Sequence, residues 1–272
     1  NTKVISSSGD KYLGGINFDL DLMNYVLRKA IKLYPRDKAI LETLLINSKY
    51  YNKEVVINEV IKSTLARIIK DCELGKISLS LATKRTFSFI SQTGKTFRIE
   101  ISREEFEIIL EPYFQKFSNH IEKVLKDASS RTSNSIKSWS DLQGVLLVGG
   151  STNIPAIKEL CKRIFGIEPI IDGVDTFESV AKGAAIYSSI KNGTLDIMGA
   201  YSVIVPHDYG IVNNGEFKPI LMRGTDVTSS NHKYRVPFTL DIKTPIEVAQ
   251  KYYDEKGDDI LLNIEKINYS HP

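Results

Sequence analysis

The sequence predicts an α/β domain followed by a smaller all-β domain. Three observations support this fold class. Apolar residues recur every three or four positions from Phe18 to Cys72, which is the period of amphipathic helices. The apolar run Gly144–Val148 leads through a double glycine into another helical pattern, as a buried strand does before a helix. From Ala200 onward, short apolar runs alternate with turn residues and the helical period is lost.

The composition is that of an ordinary compact protein. Its 272 residues are 42% hydrophobic and 25% charged, which argues against disorder and against a disulfide scaffold. The net charge of +3 is too small to predict a nucleic-acid-binding surface, and no apolar run approaches the roughly 20 residues that span a bilayer. The two cysteines and four histidines lack metal-ligand spacing. We therefore expect a cytoplasmic protein that binds neither nucleic acid nor membrane.

The first half of the chain predicts a layer of helices and then a hairpin. Three helical patterns are followed by two strand-like runs that enclose a turn with Gly94. The predicted helices cover 18–33, 39–51 and 55–72, and the predicted strands cover 86–91 and 96–102. Ser102, followed three residues later by Glu105, is typical of a capping box and predicts a long helix to about Ala128.

The second half of the chain predicts two more helices and then short strands. The helices cover 155–165 and 177–190. The strand-like runs are Tyr201–Val205, Gly210–Val212, Pro219–Met222, Tyr234–Ile242, Glu247–Tyr253 and Ile260–Ile267. The change of pattern places a domain boundary close to residue 200.

The turn after the apolar run 144–148 is the strongest local indication of a ligand site. Gly149 and Gly150 permit close approach of the backbone, and free amides at the start of the next helix favour an anionic or polar ligand. From spacing alone, a tight turn capped by Ser151 or Thr152 is an equally good interpretation.

Four segments, in order along the chain, resemble the seventy-kilodalton heat-shock (DnaK-type) chaperones. They are Gly9–Asp19, Cys72–Ser80, Val145–Ala185 and Pro206–Ile211. The chain is identified as a divergent member of that family, and the resemblance covers nearly its whole length. It implies an actin-like ATPase lobe, which is α/β with a helical and β-hairpin subdomain, followed by an all-β sandwich.

The resemblance also implies domain boundaries. Residues 1–195 would form the second lobe of the nucleotide-binding domain, with the helical subdomain at about 15–140. Residues 196–203 would be the linker, and 204–272 a peptide-binding β-sandwich without a helical lid. Because the chain starts without methionine, we expect a piece of a longer protein whose first lobe precedes Asn1.

Nucleotide-binding residues are carried over from the family onto two segments. Glu73, Lys76 and Ser80 match positions that hydrogen-bond ribose and adenine, and their i, i+3, i+7 spacing places them on one helix face. The matches to the adenosine-binding turn are Gly149, Gly150 and Ser151.

The chain departs from the family at three positions. Ile77 and Asn153 stand where the family clamps adenine between two arginines, and Phe177 replaces an aspartate. Within the first of the four segments, Gly14, Gly15, Phe18 and Asp19 resemble the start of the first helix of the family's helical subdomain, near the cleft. Tight packing is the favoured interpretation of that segment. In the β domain, Phe238, Ile246 and Val248 match the region of the peptide groove, although ordinary core packing is the favoured interpretation there.

The resemblance implies ATP or ADP with Mg²⁺ as cofactors, with magnesium and phosphate ligands mainly from the first lobe. ATP hydrolysis is expected of the intact protein and not of this chain, in which we assign no catalytic residue. The implied partners are unfolded or extended polypeptides, a J-domain co-chaperone and a nucleotide exchange factor. Two alternatives stay open: a non-catalytic scaffold or peptide-binding protein, which the three departures favour, and an actin-like structural or sugar-kinase relative.

Overall fold

A computed structural model describes residues 2–10, 12–51, 53, 55–132, 136–170, 173, 175–195, 201–202, 204–213, 215–227, 246–253 and 259–267. The chain divides into two compact units. The helical unit comprises Asp10–Phe117 and Leu142–Ala185. The sheet unit comprises Asn1–Gly9, Ser118–Asp141 and Ile186–Pro272. The domain boundaries at 195 and 203 stay a prediction.

Three helices at the start of the helical unit form its core. They are α1 (Gly15–Leu33), α2 (Lys38–Ser48) and α3 (Glu59–Leu79). Their apolar faces bury a contiguous set of side chains that includes Phe18, Leu22 and Ile68, so the helical periodicity is confirmed. The third helix begins four residues later and ends seven residues later than the pattern predicted, and its last two turns alternate between core and surface positions.

A hairpin covers one side of this helical layer. Strands β2 (Lys84–Ile90) and β3 (Thr96–Ser102) pair antiparallel, and alternate side chains of each are buried. The ring of Phe87 lies so close to Gly75 of α3 that a Cβ atom there would be 2.1 Å from its Cε1 atom. The absence of a side chain at Gly75 therefore lets α3 pack directly on β2.

The predicted capping box opens helix α4 (Arg103–Arg131). The amide of Glu105 donates to Ser102 Oγ at 3.2 Å, and the amide of Ser102 donates to Glu105 Oε2 at 2.9 Å. Two backbone donors at the helix start are thus satisfied reciprocally, as the sequence predicted.

The apolar run 144–148 differs from the buried strand that the sequence predicts. Among the described residues it forms a single parallel bridge, between Leu146 and Ile170. Leu147 is 7% exposed and belongs to the core, whereas Leu146 is 54% exposed. Because successive side chains of an extended chain point to opposite faces, only one face of this segment is covered. Helices α5 (Pro155–Phe165) and α6 (Ser179–Lys191) follow near the predicted positions.

The described residues of the sheet unit form two small sheets. Strand β1 (Thr2–Lys3) pairs parallel with β4 (Tyr201–Ser202). The other sheet is antiparallel in the order β6-β5-β7-β8. Its strands are β5 (Asp208–Asn213), β6 (Glu216–Leu221), β7 (Ile246–Tyr253) and β8 (Asp259–Ile267). The predicted strand Tyr234–Ile242 lies outside the described residues, so the β-sandwich stays a prediction.

Within the part of the chain that the structure describes, no helix combines the length and hydropathy needed to cross a membrane.

Candidate functional site

A cavity of about 570 Å³ lies in the helical unit, beside the last two turns of α3 and the glycine-rich turn before α5. Seven of the eight predicted nucleotide-binding residues line it: Glu73, Lys76, Ile77, Ser80, Gly150, Ser151 and Asn153. The eighth, Gly149, lies in the same turn but is not part of the lining. Two segments about seventy residues apart in sequence therefore meet at one cavity.

The end of α3 presents one face to the core and another to the cavity. Cys72, Gly75 and Leu79 are buried. Ile77, on the opposite side, is 47% exposed. Ser80 is the C-terminal cap residue of the helix, and its Oγ atom donates to the carbonyl of Lys76 at 3.1 Å. The predicted spacing thus brings these residues to one surface.

The glycine-rich turn forms the facing wall. Gly149 has φ of +97°, a left-handed conformation that favours glycine. Its amide donates to the carbonyl of Thr176 at 2.9 Å, and Asn153 Nδ2 donates to Thr176 Oγ1 at 2.8 Å. A Cβ atom at Gly150 would lie 2.7 Å from Cε1 of Phe177. The aromatic ring therefore rests directly on the turn.

The sequence left open whether Ser151 or Thr152 caps the following helix. Both lie in a short 3-10 turn, Gly150–Asn153, and α5 begins at Pro155 after Ile154. Thr152 Oγ1 donates to the carbonyl of Gly149 at 2.6 Å, which closes the turn. Neither side chain makes a capping hydrogen bond to α5, so Ser151 remains a lining residue of the cavity.

Lys76 is held by a buried ion pair that sequence reasoning did not find. Its Nζ atom donates to Asp19 Oδ2 at 2.8 Å and to the carbonyl of Gly15 at 3.0 Å. The two side chains are 12% and 7% exposed. Burial raises the pKa of Asp19, although the hydrogen bond from Lys76 opposes that increase. The segment that contains Gly15 and Asp19 belongs to the resemblance described above, but residue spacing could not show that Asp19 pairs with Lys76 of α3.

Gly15 permits this close approach. A Cβ atom there would lie 2.8 Å from Ser151 Oγ and 2.9 Å from Lys76 Nζ. The start of α1, the glycine-rich turn and the end of α3 therefore converge where the ammonium group lies. Gly15 therefore packs tightly at the start of α1, as the sequence favoured. It also lies beside the cavity.

The remaining charges lie at the rim. Glu73 accepts a hydrogen bond from Lys70 at 2.6 Å, which holds the pKa of that exposed carboxyl below its usual range. Lys158 and Glu159 of α5 add one charge of each sign to the lining. Sequence reasoning missed both, because they belong to an ordinary amphipathic helix.

The apolar part of the lining comprises Ile77, Leu81, Ile154, Pro155 and Phe177. Leu81 and Phe177 are 87% and 68% exposed. Exposed apolar side chains around a concave surface, with a few hydrogen-bonding groups, are typical of sites for small organic ligands. Leu81 follows the end of α3 and had no motif to mark it.

The described residues do not form a metal site by themselves. They contain no group of three or more histidine, cysteine, aspartate or glutamate side chains placed to hold a metal ion. The charged lining residues of the cavity are two lysines and two glutamates, and Mg²⁺ is usually held by one or two carboxylates together with substrate phosphates. We derive no step through magnesium from this chain.

The predicted peptide-binding residues are less fully described. Phe238 lies outside the described residues. Ile246 and Val248 lie in β7, where Val248 pairs with Ile211 of β5 and Glu265 of β8.

A helical layer and a glycine-rich turn thus line one cavity in the helical unit. The chain matches the Hsp70 protein family over residues 1–256. It therefore belongs to the Hsp70 family, whose members have the actin-like ATPase fold, so the resemblance seen in the sequence is confirmed.

Individual relatives agree with this assignment. The chain is 30% identical over 234 residues to the chaperone protein DnaK of Deinococcus proteolyticus, with 83% of this chain and 33% of that protein covered. It is 28% identical over 274 residues to DnaK of Thermosipho africanus, covering 96% and 40%. It is 29% identical over 234 residues to the chloroplastic heat shock 70 kDa protein 6 of Arabidopsis thaliana, covering 84% and 29%.

The chain spans about a third of the length of the curated relatives it matches. What the complete relatives do is therefore a basis for proposals about this chain.

Proposed function

We propose that the cavity binds the adenosine part of ATP or ADP and that the chain is part of a DnaK-like chaperone. One observation carries this proposal. Seven residues predicted from two separate segments line a single cavity. Its volume of about 570 Å³ is in the range of small-molecule sites, which is about 300–1,000 Å³.

The lining residues have the chemistry that a nucleoside requires. Glu73 would accept hydrogen bonds from ribose hydroxyls, and Lys76 would donate to them. The apolar side chains of Ile77 and Phe177 would lie against the base. Asn153 already uses its Nδ2 atom on Thr176, so Oδ1 would accept from a donor on the base.

The complete protein would hydrolyse ATP and couple the nucleotide to polypeptide binding. Phosphoryl transfer depends on groups that position the triphosphate and the attacking water. We place those groups, with the magnesium ligands, in parts of the family that this chain does not match. This chain would supply the adenosine contacts and no catalytic residue.

The sheet unit would belong to a β-sandwich that binds unfolded or extended polypeptides. Exposed strand edges can pair with an extended chain, and Phe238, Ile246 and Val248 are our candidates for side-chain contacts. A J-domain co-chaperone and a nucleotide exchange factor would be the regulatory partners. The compartment stays a prediction, since the sequence favours the cytoplasm and one relative is named as chloroplastic. Membership of the Hsp70 family does not favour the alternative of a scaffold that has lost nucleotide use.

Calorimetric titration of ADP and ATP into the 272-residue chain tests the adenosine site. We expect binding with a Kd of roughly 1 mM or lower, because contacts to the phosphates come mainly from elsewhere. Glu73→Ala should weaken ADP binding about tenfold, the effect of losing one charge-assisted hydrogen bond.

Glu42→Ala is the matched control. Glu42 forms a similar exposed ion pair within one helix, with Lys38, but lies on α2 and does not line the cavity. Its replacement should leave the Kd for ADP unchanged. Absence of ADP binding at millimolar concentration, or equal effects of the two substitutions, would contradict the adenosine site.

A further inference from the structure

The ion pair between Lys76 and Asp19 has a geometry that suits a ligand contact. An ammonium group carries three N–H donors. In Lys76, one is directed at Asp19 Oδ2 at 2.8 Å and another at the carbonyl of Gly15 at 3.0 Å. The third has no protein acceptor among the described residues, and Lys76 lines the cavity. One donor is therefore available to a ligand oxygen.

Asp19 also restricts the conformation of the Lys76 side chain, beyond accepting its hydrogen bond. It is 5% exposed and extends from α1, so it reaches Lys76 from a different helix. By comparison, Lys70 pairs with Glu73 on the same helix, and its side chain is 65% exposed. An exposed lysine loses much rotamer freedom when it binds a ligand, whereas Lys76 has already lost it on folding.

Packing by itself does not require this pair. Desolvation of two charges offsets much of their attraction, and apolar side chains of similar volume usually serve equally well between two helices. Asp19 Oδ1 is also buried without a hydrogen-bond partner among the described residues, which is a cost that a purely structural contact would avoid. The arrangement of Asp19 is therefore better explained by what it does to Lys76.

We infer that Asp19 is a positioning residue for ligand binding. Together with the carbonyl of Gly15, it holds the Lys76 ammonium so that the third N–H meets a ribose hydroxyl of a nucleotide in the cavity. This inference rests on the proposed adenosine site. It adds a second layer to that site, built by the start of α1, and assigns to Asp19 a role in recognising the sugar.

The test compares two ligands in two proteins. ADP and 2′,3′-dideoxy-ADP differ only in the ribose hydroxyls, so the ratio of their Kd values measures hydroxyl recognition. We expect the 272-residue chain to prefer ADP by about tenfold or more, the effect of a hydrogen bond to a charged group. Asp19→Asn keeps the side-chain shape and removes the charge, and it should reduce this ratio severalfold.

The matched control is Asp71→Asn. Asp71 lies on α3 and pairs with Arg85 of β2, where the two side chains are 24% and 22% exposed, but it does not line the cavity. This substitution should lower stability without changing the ratio. Lys76→Met should reduce the preference for ADP to the part that Glu73 supplies, and adding Asp19→Asn to it should have no further effect on the ratio, since both act through one ammonium group.

Three outcomes would overturn the inference. The first is an Asp19→Asn variant that folds and keeps the wild-type ratio, which would make Asp19 merely structural. The second is a wild-type chain that binds ADP and dideoxy-ADP equally. The third is no binding of ADP at all, which would also overturn the proposed adenosine site. If Asp19→Asn does not fold, Asp19→Glu moves the carboxylate by one methylene and should likewise narrow the ratio.

Discussion

Lys76 and Ile77 are neighbours on α3, yet their side chains have different surroundings. The ammonium group of Lys76 is nearly buried against α1, whereas Ile77 is 47% exposed at the cavity. The resemblance to the family implies an arginine at the position of Ile77. A guanidinium group there would stack on a planar base and add a cation–π contact, which isoleucine cannot provide.

Ile77→Arg should therefore strengthen nucleotide binding. A cation–π contact contributes about 0.5–2 kcal/mol, so we expect the Kd for ADP to fall by a factor of roughly 2–30, measured by calorimetry. Leu74→Arg is the control, since Leu74 is 49% exposed on the same helix and does not line the cavity. Equal gains from both substitutions would point to a general effect of positive charge and contradict stacking at Ile77.

Helix α3 packs against the hairpin on one side and lines the cavity on the other. We therefore expect it to be sensitive to substitution on its buried side. Gly75 packs against the Phe87 ring of β2, while Glu73 and Ile77 face the cavity. A glycine in a helix interior costs conformational entropy, and its presence is explained by the close approach of the hairpin.

Gly75→Ala should destabilise the protein despite the higher helix propensity of alanine. The new Cβ atom would lie 2.1 Å from Phe87 Cε1, and that ring is buried and cannot move away. Overpacking of this kind costs about 1–3 kcal/mol in the free energy of unfolding, which chemical denaturation measures.

Gly183→Ala is the corresponding control in α6. A Cβ atom there meets nothing within 4 Å, so only the gain in helix propensity remains. It should stabilise the protein by about 0.5–1 kcal/mol. Stabilisation by both substitutions would show that the hairpin does not restrict Gly75.

At the scale of the whole molecule, the cavity belongs entirely to the helical unit. Its walls come from α3, the glycine-rich turn and α5, and α3 shares a continuous apolar core with α1. Any ligand bound there adds its binding energy to the stability of that unit.

ADP should therefore slow hydrogen exchange in the helical unit. At 100 times its Kd, a ligand that binds only the folded state stabilises it by about 2.7 kcal/mol. The amides of Leu22 on α1 and Ile68 on α3 are suitable probes, because both side chains are buried in the core. Unchanged exchange at these amides under saturating ADP would contradict a site in this cavity. GDP is a useful control for base selectivity.

Much of the local structure was determined by the sequence itself. Helical periodicity, the capping box of Ser102 and Glu105, and the predicted positions of most strands depend on interactions between residues close in the chain. The same locality explains why spacing placed Glu73, Lys76 and Ser80 on one face of α3. Resemblance to the family then indicated which face belonged to a site, and family membership is confirmed.

Only the tertiary structure decided which distant groups meet. Asp19 and Lys76 are 57 residues apart, and nothing in their local patterns indicates a hydrogen bond between them. The apolar run 144–148 was predicted as a buried strand, but among the described residues it forms only a single bridge, at Leu146, because pairing and exposure depend on the segments that lie beside it. The periodicity of apolar residues indicates which residues share a face of one helix or strand. Burial, ion pairs and cavities arise where several such elements pack together.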